Sequence, residues 1–119
     1  MSKTKLLFST PIYRASLSEV GKIDMLEIEN SCCSIAQDDE AGQKWCEENN
    51  YLGYTSYASL SDLTWRSPIF EELKKLLDLH VDQFSKELDF NLEGRILKLD
   101  DIWINILAEG GNHSAHIHP

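Results

Sequence analysis

The clearest pattern of apolar positions runs from residue 67 to residue 88. Apolar side chains recur there every three or four residues, which is the spacing of one face of an α-helix, at Ile69, Leu73, Leu76, Leu77, Val81, Phe84 and Leu88. Ser67 and Pro68 stand where the cap and the first turn of that helix are expected. His80 falls on the apolar stripe, where a lone histidine is more typical of a hydrogen-bonded core residue than of a ligand. The pattern predicts a long helix with a buried His80.

A weaker helical pattern precedes it, between Val20 and Ala36. Apolar residues recur at roughly helical spacing in this segment, and Ser18 can cap its first turn. Gly21 disfavours the helix by about 1 kcal/mol. Acidic residues 38–40 then interrupt the pattern. After them we expect a loop or a short second helix that carries Trp45.

Alternation with a period of two marks the segment from Ile102 to Leu107. Isoleucines at every second position alternate with Trp103, Asn105 and Leu107, as in a β-strand. Because both faces are largely apolar, the pattern predicts a central strand that is covered on both sides. Asn105 would then be a buried amide that requires hydrogen-bond partners. An apolar run at residues 96, 97 and 99 is expected to be extended as well.

The segment from residue 49 to residue 68 is rich in Tyr, Thr and Ser and is expected to be irregular. It holds an aromatic group of four residues, Tyr51, Tyr54, Tyr57 and Trp65. We expect these rings to cover one end of a core, and the alternative is that they form a wall facing a substrate. Taken together, the elements predict an α+β fold, with helices packed on one side of a small, mainly antiparallel sheet.

Composition and charge narrow the range of functions. The chain has 119 residues, a length suited to a single domain spanning residues 1–119. With 20 acidic and 11 basic side chains its net charge is −9, which argues against a nucleic-acid binder. No apolar run approaches the roughly 20 residues that span a bilayer. Cys32, Cys33 and Cys46 have no metal-site spacing and are expected to be reduced, semi-buried thiols of a cytoplasmic protein.

Candidate chemistry is concentrated between residues 113 and 119, which contain His113, His116 and His118. If this segment is extended, His116 and His118 project from the same face, and two imidazoles so placed can share one metal ion. His113 has the opposite parity unless the preceding Gly-Gly turn re-aims it. Two histidines and a carboxylate with open positions are the ligand set of non-haem Fe(II) oxygenases. The alternative is a frayed terminus without a role.

Three segments carry a resemblance to a known family. LFSTPIYRASL, YLGYTSYASLSDL and above all WINILAEGGNHSAHIHP resemble bacterial and phage proteins assigned to the 2-oxoglutarate/Fe(II)-dependent oxygenases. The resemblance covers essentially the whole chain, and the W-x-N, G-G and H-x-x-H-x-H-P elements occur in the same order. In that family the polypeptide continues beyond the His-Pro pair and completes a double-stranded β-helix, or jelly roll. The chain therefore resembles the N-terminal part of such an enzyme.

The resemblance implies a set of roles for individual residues. His116 and His118 match the iron motif of the family. Asn105 and His113 match positions beside the site, where supporting roles are expected; Asn105 is the candidate cofactor-binding residue, and His113 is also kept as a candidate metal ligand. Fe(II) and 2-oxoglutarate are the implied cofactors. The distal histidine and the basic residue that anchors 2-oxoglutarate have no counterpart in these 119 residues, so we expect weak iron binding and no turnover by the isolated chain.

Two further functions stay open on the sequence alone. One is a metal-binding module without redox chemistry, and the other is a structural domain that forms oligomers. An open sheet edge and uncovered apolar surface favour association between chains, so we expect a homo-oligomer. We expect no nucleic acid and no membrane among the partners.

Overall fold

The computed structural model describes residues 2–116 and contains four α-helices, one 3-10 turn and two short β-strands within that range. The strands form one antiparallel sheet, so the predicted α+β class is confirmed. A pair of three-residue strands is much smaller than a double-stranded β-helix. In chain order the elements are the turn Leu17–Glu19, α1 Met25–Asp38, α2 Glu40–Glu48, β1 Gly53–Thr55, α3 Leu63–Arg66, α4 Pro68–Glu87 and β2 Asn105–Leu107.

The long helix α4 forms where the sequence predicts it. It begins at Pro68, directly after Ser67 in an extended conformation, although no side-chain hydrogen bond from Ser67 caps the helix. Ile69 and Phe70 bury their side chains in the core. On another face, Lys74 Nζ lies 2.7 Å from Asp78 Oδ2, one of several ion pairs spaced four residues apart. An amphipathic stripe of this length is therefore sufficient to locate the helix.

The first helix begins later than its sequence pattern predicts. The predicted start at Val20 with a Ser18 cap is wrong: Ser16 caps the 3-10 turn, and α1 begins only at Met25. Asp24 caps α1, since its carboxylate accepts a hydrogen bond from the Glu27 N–H at 3.1 Å. The Asp24 side chain thus satisfies one of the backbone N–H groups that have no partner within the first turn of a helix. The predicted short second helix with Trp45 is confirmed as α2.

The prediction of a central strand is wrong in extent and in position. Only Asn105–Leu107 pairs, with β1 as its antiparallel partner, in a register that sets Thr55 opposite Asn105. Ile104 is buried, whereas Leu107 is 45% exposed. Residues 96–99 form no strand. The Leu99 N–H instead donates to Asp78 Oδ1 of α4 at 2.6 Å, so a side chain takes the place of a neighbouring strand.

The buried core lies where α2, β1, α3, α4 and the segment before β2 meet. Its buried apolar members among the described residues are Cys46, Tyr54, Leu63, Ile69, Phe70 and Ile104. Ser56, fully buried, joins two segments here, because its N–H donates to the Ile104 carbonyl at 3.0 Å and its Oγ accepts from the Ile104 N–H at 2.9 Å. These two hydrogen bonds connect the two segments one residue beyond the paired residues of β1 and β2.

Gly53 allows the two strands to approach each other closely. Its φ of 123° lies in a region that L side chains rarely adopt. A Cβ at this position would collide with the backbone carbonyl of Ile106 on β2. The strand pairing therefore depends on a glycine at the start of β1.

His80 ties the N-terminal segment to α4. The His80 side chain is buried, and its Nε2 donates to the Ser16 carbonyl at 3.1 Å, because a carbonyl can only accept. In the neutral ring Nδ1 then accepts from the Tyr13 hydroxyl at 2.7 Å. The prediction of a hydrogen-bonded core histidine is confirmed.

Several apolar side chains remain outside this core. Leu6, Leu7, Phe8 and Ile12 are between 73% and 103% exposed. The cysteines are free thiols: Cys46 is buried and Cys32 partly buried as predicted, but Cys33 is exposed. No helix within residues 2–116 is long and apolar enough to cross a membrane.

Candidate functional site

A cavity of about 550 Å³ opens beside the two strands, on the side opposite the core. Its volume lies in the range typical of small-molecule sites. We call it the aromatic cavity, because four of its eight lining residues are Trp or Tyr: it is lined by Trp45, Tyr51, Thr55, Tyr57, Trp103, Asn105, His113 and His116. Both histidines of the described part of the C-terminal motif and the predicted cofactor residue Asn105 thus meet in one place.

The alternation of the strand explains which residues reach the cavity. Ile102, Ile104 and Ile106 pack in or against the core, so Trp103 and Asn105 point to the opposite face. That second face borders the aromatic cavity and is not covered by another layer of the protein among the described residues. The predicted alternation is therefore confirmed, and its interpretation as a strand buried on both sides is not.

Strand register fixes the floor of the cavity. Thr55 and Asn105 are paired across the sheet, with Thr55 Oγ1 and the Asn105 side-chain amide 2.7 Å apart. With the amide nitrogen donating to Thr55 Oγ1 and to the Ile104 carbonyl, the amide oxygen accepts from Trp103 Nε1 at 3.3 Å. Asn105 is exposed rather than buried as predicted, but it has the hydrogen-bond partners that the sequence analysis required. These bonds hold the Trp103 ring in the cavity wall.

His113 and His116 stand at the mouth of the cavity. The Tyr51 hydroxyl lies 3.1 Å from His113 Nε2. The His116 Nδ1–H donates to the Ser114 carbonyl at 2.6 Å, since a carbonyl oxygen can only accept. The two imidazole centroids are 6.3 Å apart.

The described part of the histidine segment is not a regular strand. Residues 111–116 form no strand, and Gly110 has a φ of 79° in the turn before them. This irregular path brings His113 to the same cavity as His116, despite their opposite parity. His118 lies outside the described residues, so the prediction that His116 and His118 share a face stays a prediction.

The donor set of the described residues does not make a complete iron site. Two imidazoles with nitrogen donors suit iron, zinc or nickel. No group of three His, Cys, Asp or Glu side chains capable of holding a metal occurs within residues 2–116. We therefore derive no reaction step through a metal ion from these residues.

The aromatic group predicted from the sequence divides between three locations. Tyr51 and Tyr57 line the cavity, and whether that cavity faces a substrate stays a prediction. Tyr54 is in the core and Trp65 is 88% exposed outside the cavity. Trp45 and Trp103 were not assigned to a site from the sequence. The alternation of Trp103 and Asn105 was the signal that pointed to a shared face.

A cluster of hydrogen bonds around the Asp39 carboxylate, behind β1, supports the strand that forms the cavity floor. Asp39 Oδ1 accepts from the Gly42 N–H at 3.0 Å and caps α2, while the Tyr54 hydroxyl donates to Oδ2 at 2.6 Å and Ser59 Oγ donates to the same oxygen. Burial alone would raise the pKa of Asp39, but the bonds from Ser59, Tyr54 and Gly42 outweigh it and lower the pKa. Burial and the Asp39 carboxylate together raise the pKa of Tyr54. The cluster therefore holds an ionised Asp39 and a neutral Tyr54.

Comparison of the chain with protein-family models and with curated protein sequences finds no match.

Proposed function

We propose that this chain supplies the N-terminal part of a 2-oxoglutarate/Fe(II)-dependent oxygenase domain of the double-stranded β-helix type, and that it is inactive by itself. The observation that carries the proposal is the meeting of His113, His116 and Asn105 at one aromatic cavity of about 550 Å³. These three residues are the candidate site residues that the structure describes within the motif WINILAEGGNHSAHIHP. The resemblance of this motif to that family suggested the function.

In this proposal each residue has a distinct task. His116 and His118 would bind the metal. His113 stands beside them as a third candidate ligand, positioned by the Tyr51 hydroxyl. Asn105 orients groups at the cavity floor through its bonds to Thr55 and Trp103. When bound, Fe(II) and 2-oxoglutarate would supply the oxidising chemistry, and the aromatic walls would exclude water from it.

The surface of the chain supports the need for further polypeptide. A folded monomer of 13.6 kDa exposes about 6,600 Å², whereas this chain exposes 9794 Å². The difference of about 3,200 Å² exceeds one partner's share of an obligate interface, which is about 1,000–2,500 Å². The exposed apolar residues Leu6, Leu7, Phe8 and Ile12 belong to this surface. Additional strands of an oxygenase domain would cover such a surface.

Anaerobic Fe(II) titration of the 119-residue chain, followed by NMR, tests the proposal. Paramagnetic broadening is expected at Asn105, His113 and His116, with weak affinity. His116→Ala and His118→Ala should each weaken binding about tenfold or more. Asn112→Ala, which changes a polar residue of the same segment, is the matched control and should leave the titration unchanged. Broadening that persists in both histidine variants would contradict the proposed site.

Metal preference separates the oxygenase from a non-redox metal-binding module. Zinc or nickel that stays bound to tag-free protein through dialysis would favour the module. In any longer polypeptide that contains this segment, the oxygenase predicts Fe(II)-dependent conversion of 2-oxoglutarate to succinate. Lack of that conversion in an iron-loaded, folded protein would refute the assignment.

A second candidate function is self-association, favoured by the same uncovered surface. The apolar side chains of Leu6, Leu7, Phe8 and Ile12 are 73% to 103% exposed, and exposed apolar patches of this kind mark interaction sites. A second copy of the chain could bury them in a homo-oligomer. Additional strands of an oxygenase domain and a second copy of the chain would cover the same surface, so sedimentation tests the second candidate and metal binding at the cavity tests the first.

A further inference from the structure

Half of the residues that line the aromatic cavity are Trp or Tyr. The rings of Tyr57 and Trp103 have centroids 5.1 Å apart and planes inclined at 71°. In this edge-to-face contact the edge of one ring meets the face of the other, and the two rings form a corner of the cavity wall. Tyr51 and Trp45 line the same space from the segment before β1 and from α2. Because the face of an aromatic ring carries the negative part of its quadrupole, such a corner attracts a positive group.

The charge of the lining and of the chain favours the same kind of ligand. No Lys, Arg, Asp or Glu is among the described residues that line the cavity. A positive group would therefore meet no Lys or Arg side chain in the lining. The net charge of −9 attracts cations to the surface.

We propose that the aromatic cavity binds a quaternary or methylated ammonium group through its Trp and Tyr rings. Such a group is favoured over a primary ammonium, because methylation replaces strongly hydrated N–H groups with weakly hydrated surface that can contact the ring faces. Thr55 and Asn105 on the floor offer hydrogen bonds to a polar part of the same molecule. The proposal names the substrate class of the oxygenase and in that respect rests on the proposed function, but binding itself requires only the cavity.

Choline and its neutral isostere 3,3-dimethylbutan-1-ol are the probes that test this inference. The two molecules have the same shape and differ in the positive charge on the central atom. Each is titrated into the full chain with a chelator present, and binding is followed by the indole N–H signals of the tryptophans. We expect saturable choline binding that shifts the Trp45 and Trp103 signals, with the isostere about fivefold weaker or more. Equal affinity for the two probes would overturn the inference, and so would a lack of saturable choline binding.

Ring-removing variants locate the binding to the cavity. Tyr57→Leu and Trp103→Leu should each weaken choline binding about three- to tenfold. Trp103→Phe keeps a ring and should retain more affinity than the leucine variant, even if both are slightly destabilised. Trp65→Leu is the matched control, since Trp65 is 88% exposed outside the cavity. Equal loss in the Trp65 variant, or no loss in the cavity variants, would overturn the assignment.

The chelator makes the outcome independent of the metal. Choline binding without Fe(II) binding at His116 would leave this inference standing and remove the proposed oxygenase function. Fe(II) binding with no preference for choline over its isostere would do the reverse. The two proposals therefore fail on different measurements.

Discussion

Replacing Asp39 with alanine is the sharpest test of how the cavity floor is held. Asp39 caps α2 through the Gly42 N–H and accepts hydrogen bonds from Tyr54 on β1 and from Ser59. Loss of the cap costs about 1 kcal/mol. Each hydroxyl that loses a charged acceptor adds about 1 kcal/mol at the low end of the usual range, which applies because the carboxylate is only half-buried. The free energy of unfolding should fall by about 3 kcal/mol.

Asp24→Ala is the matched control for the capping part of this effect. Asp24 caps α1 through the Glu27 N–H at 3.1 Å, and its side chain is exposed. Its replacement should therefore cost about 1 kcal/mol. Urea denaturation followed by circular dichroism measures both variants. In thermal melts the expected losses correspond to roughly 12 °C for Asp39→Ala and roughly 4 °C for Asp24→Ala.

A double-mutant cycle isolates the bond between the two elements. Tyr54→Phe removes only the hydroxyl, and combining it with Asp39→Ala should give a coupling energy of about 1 kcal/mol. If Asp39→Ala costs no more than Asp24→Ala, the bonds from Tyr54 and Ser59 contribute nothing to stability. The account of the cavity floor would then be refuted, because the cap alone would explain the whole effect.

Three further predictions concern acid, the N-terminal segment and self-association. The pKa of Asp39 is lower in the folded protein than its ordinary value of 3.8. The ionised Asp39 carboxylate therefore stabilises the fold fully above pH 3.8, and this contribution is lost as the pH falls through the pKa of the folded state. In acid melts the wild type should lose more stability than Asp39→Asn. His80→Phe breaks the bonds to Tyr13 and Ser16 and should cost about 2 kcal/mol in urea, with faster proteolysis of the N-terminal segment; unchanged proteolysis would contradict the tether. The chain should sediment as an oligomer at micromolar concentration, and Phe8→Ser should shift it toward monomer; a wild-type monomer would refute this prediction.

The helices could be predicted because their signals are local. Helix α4 carries a long apolar stripe, and Pro68 gives its start directly. The start of α1 was misplaced by several residues, since Ser18 and Asp24 are both plausible caps from sequence. The choice between them depends on Ser16, whose side chain accepts from the Ser18 N–H and closes a separate turn. Competing caps of similar strength are not separated by a pattern of apolar positions.

The strands could not be located in the same way, because each has only three residues. Residues 53–55 lie in a Tyr-, Thr- and Ser-rich stretch that reads as loop, and they become a strand only through pairing with residues 105–107. This pairing joins positions about 50 residues apart and depends on the open backbone of Gly53. A sequence pattern reports which faces are apolar, but it carries little information about a partner so distant.

The sequence singled out only part of the lining of the aromatic cavity. Asn105, His113 and His116 belong to one sequence motif and line the cavity together, whereas Trp45 reaches it from α2. The metal and cofactor roles of these residues stay predictions. The alternation at Trp103 and Asn105 implies a face distinct from the core, and a strand covered by protein on both sides was the simplest explanation. The structure favours another one: a face with two polar hydrogen-bonded groups and several rings is suited to a ligand, because a protein layer over it would have to satisfy the same amide and hydroxyl groups. An apolar face interrupted by Asn should therefore be tested as a binding wall before it is assigned to a buried sheet.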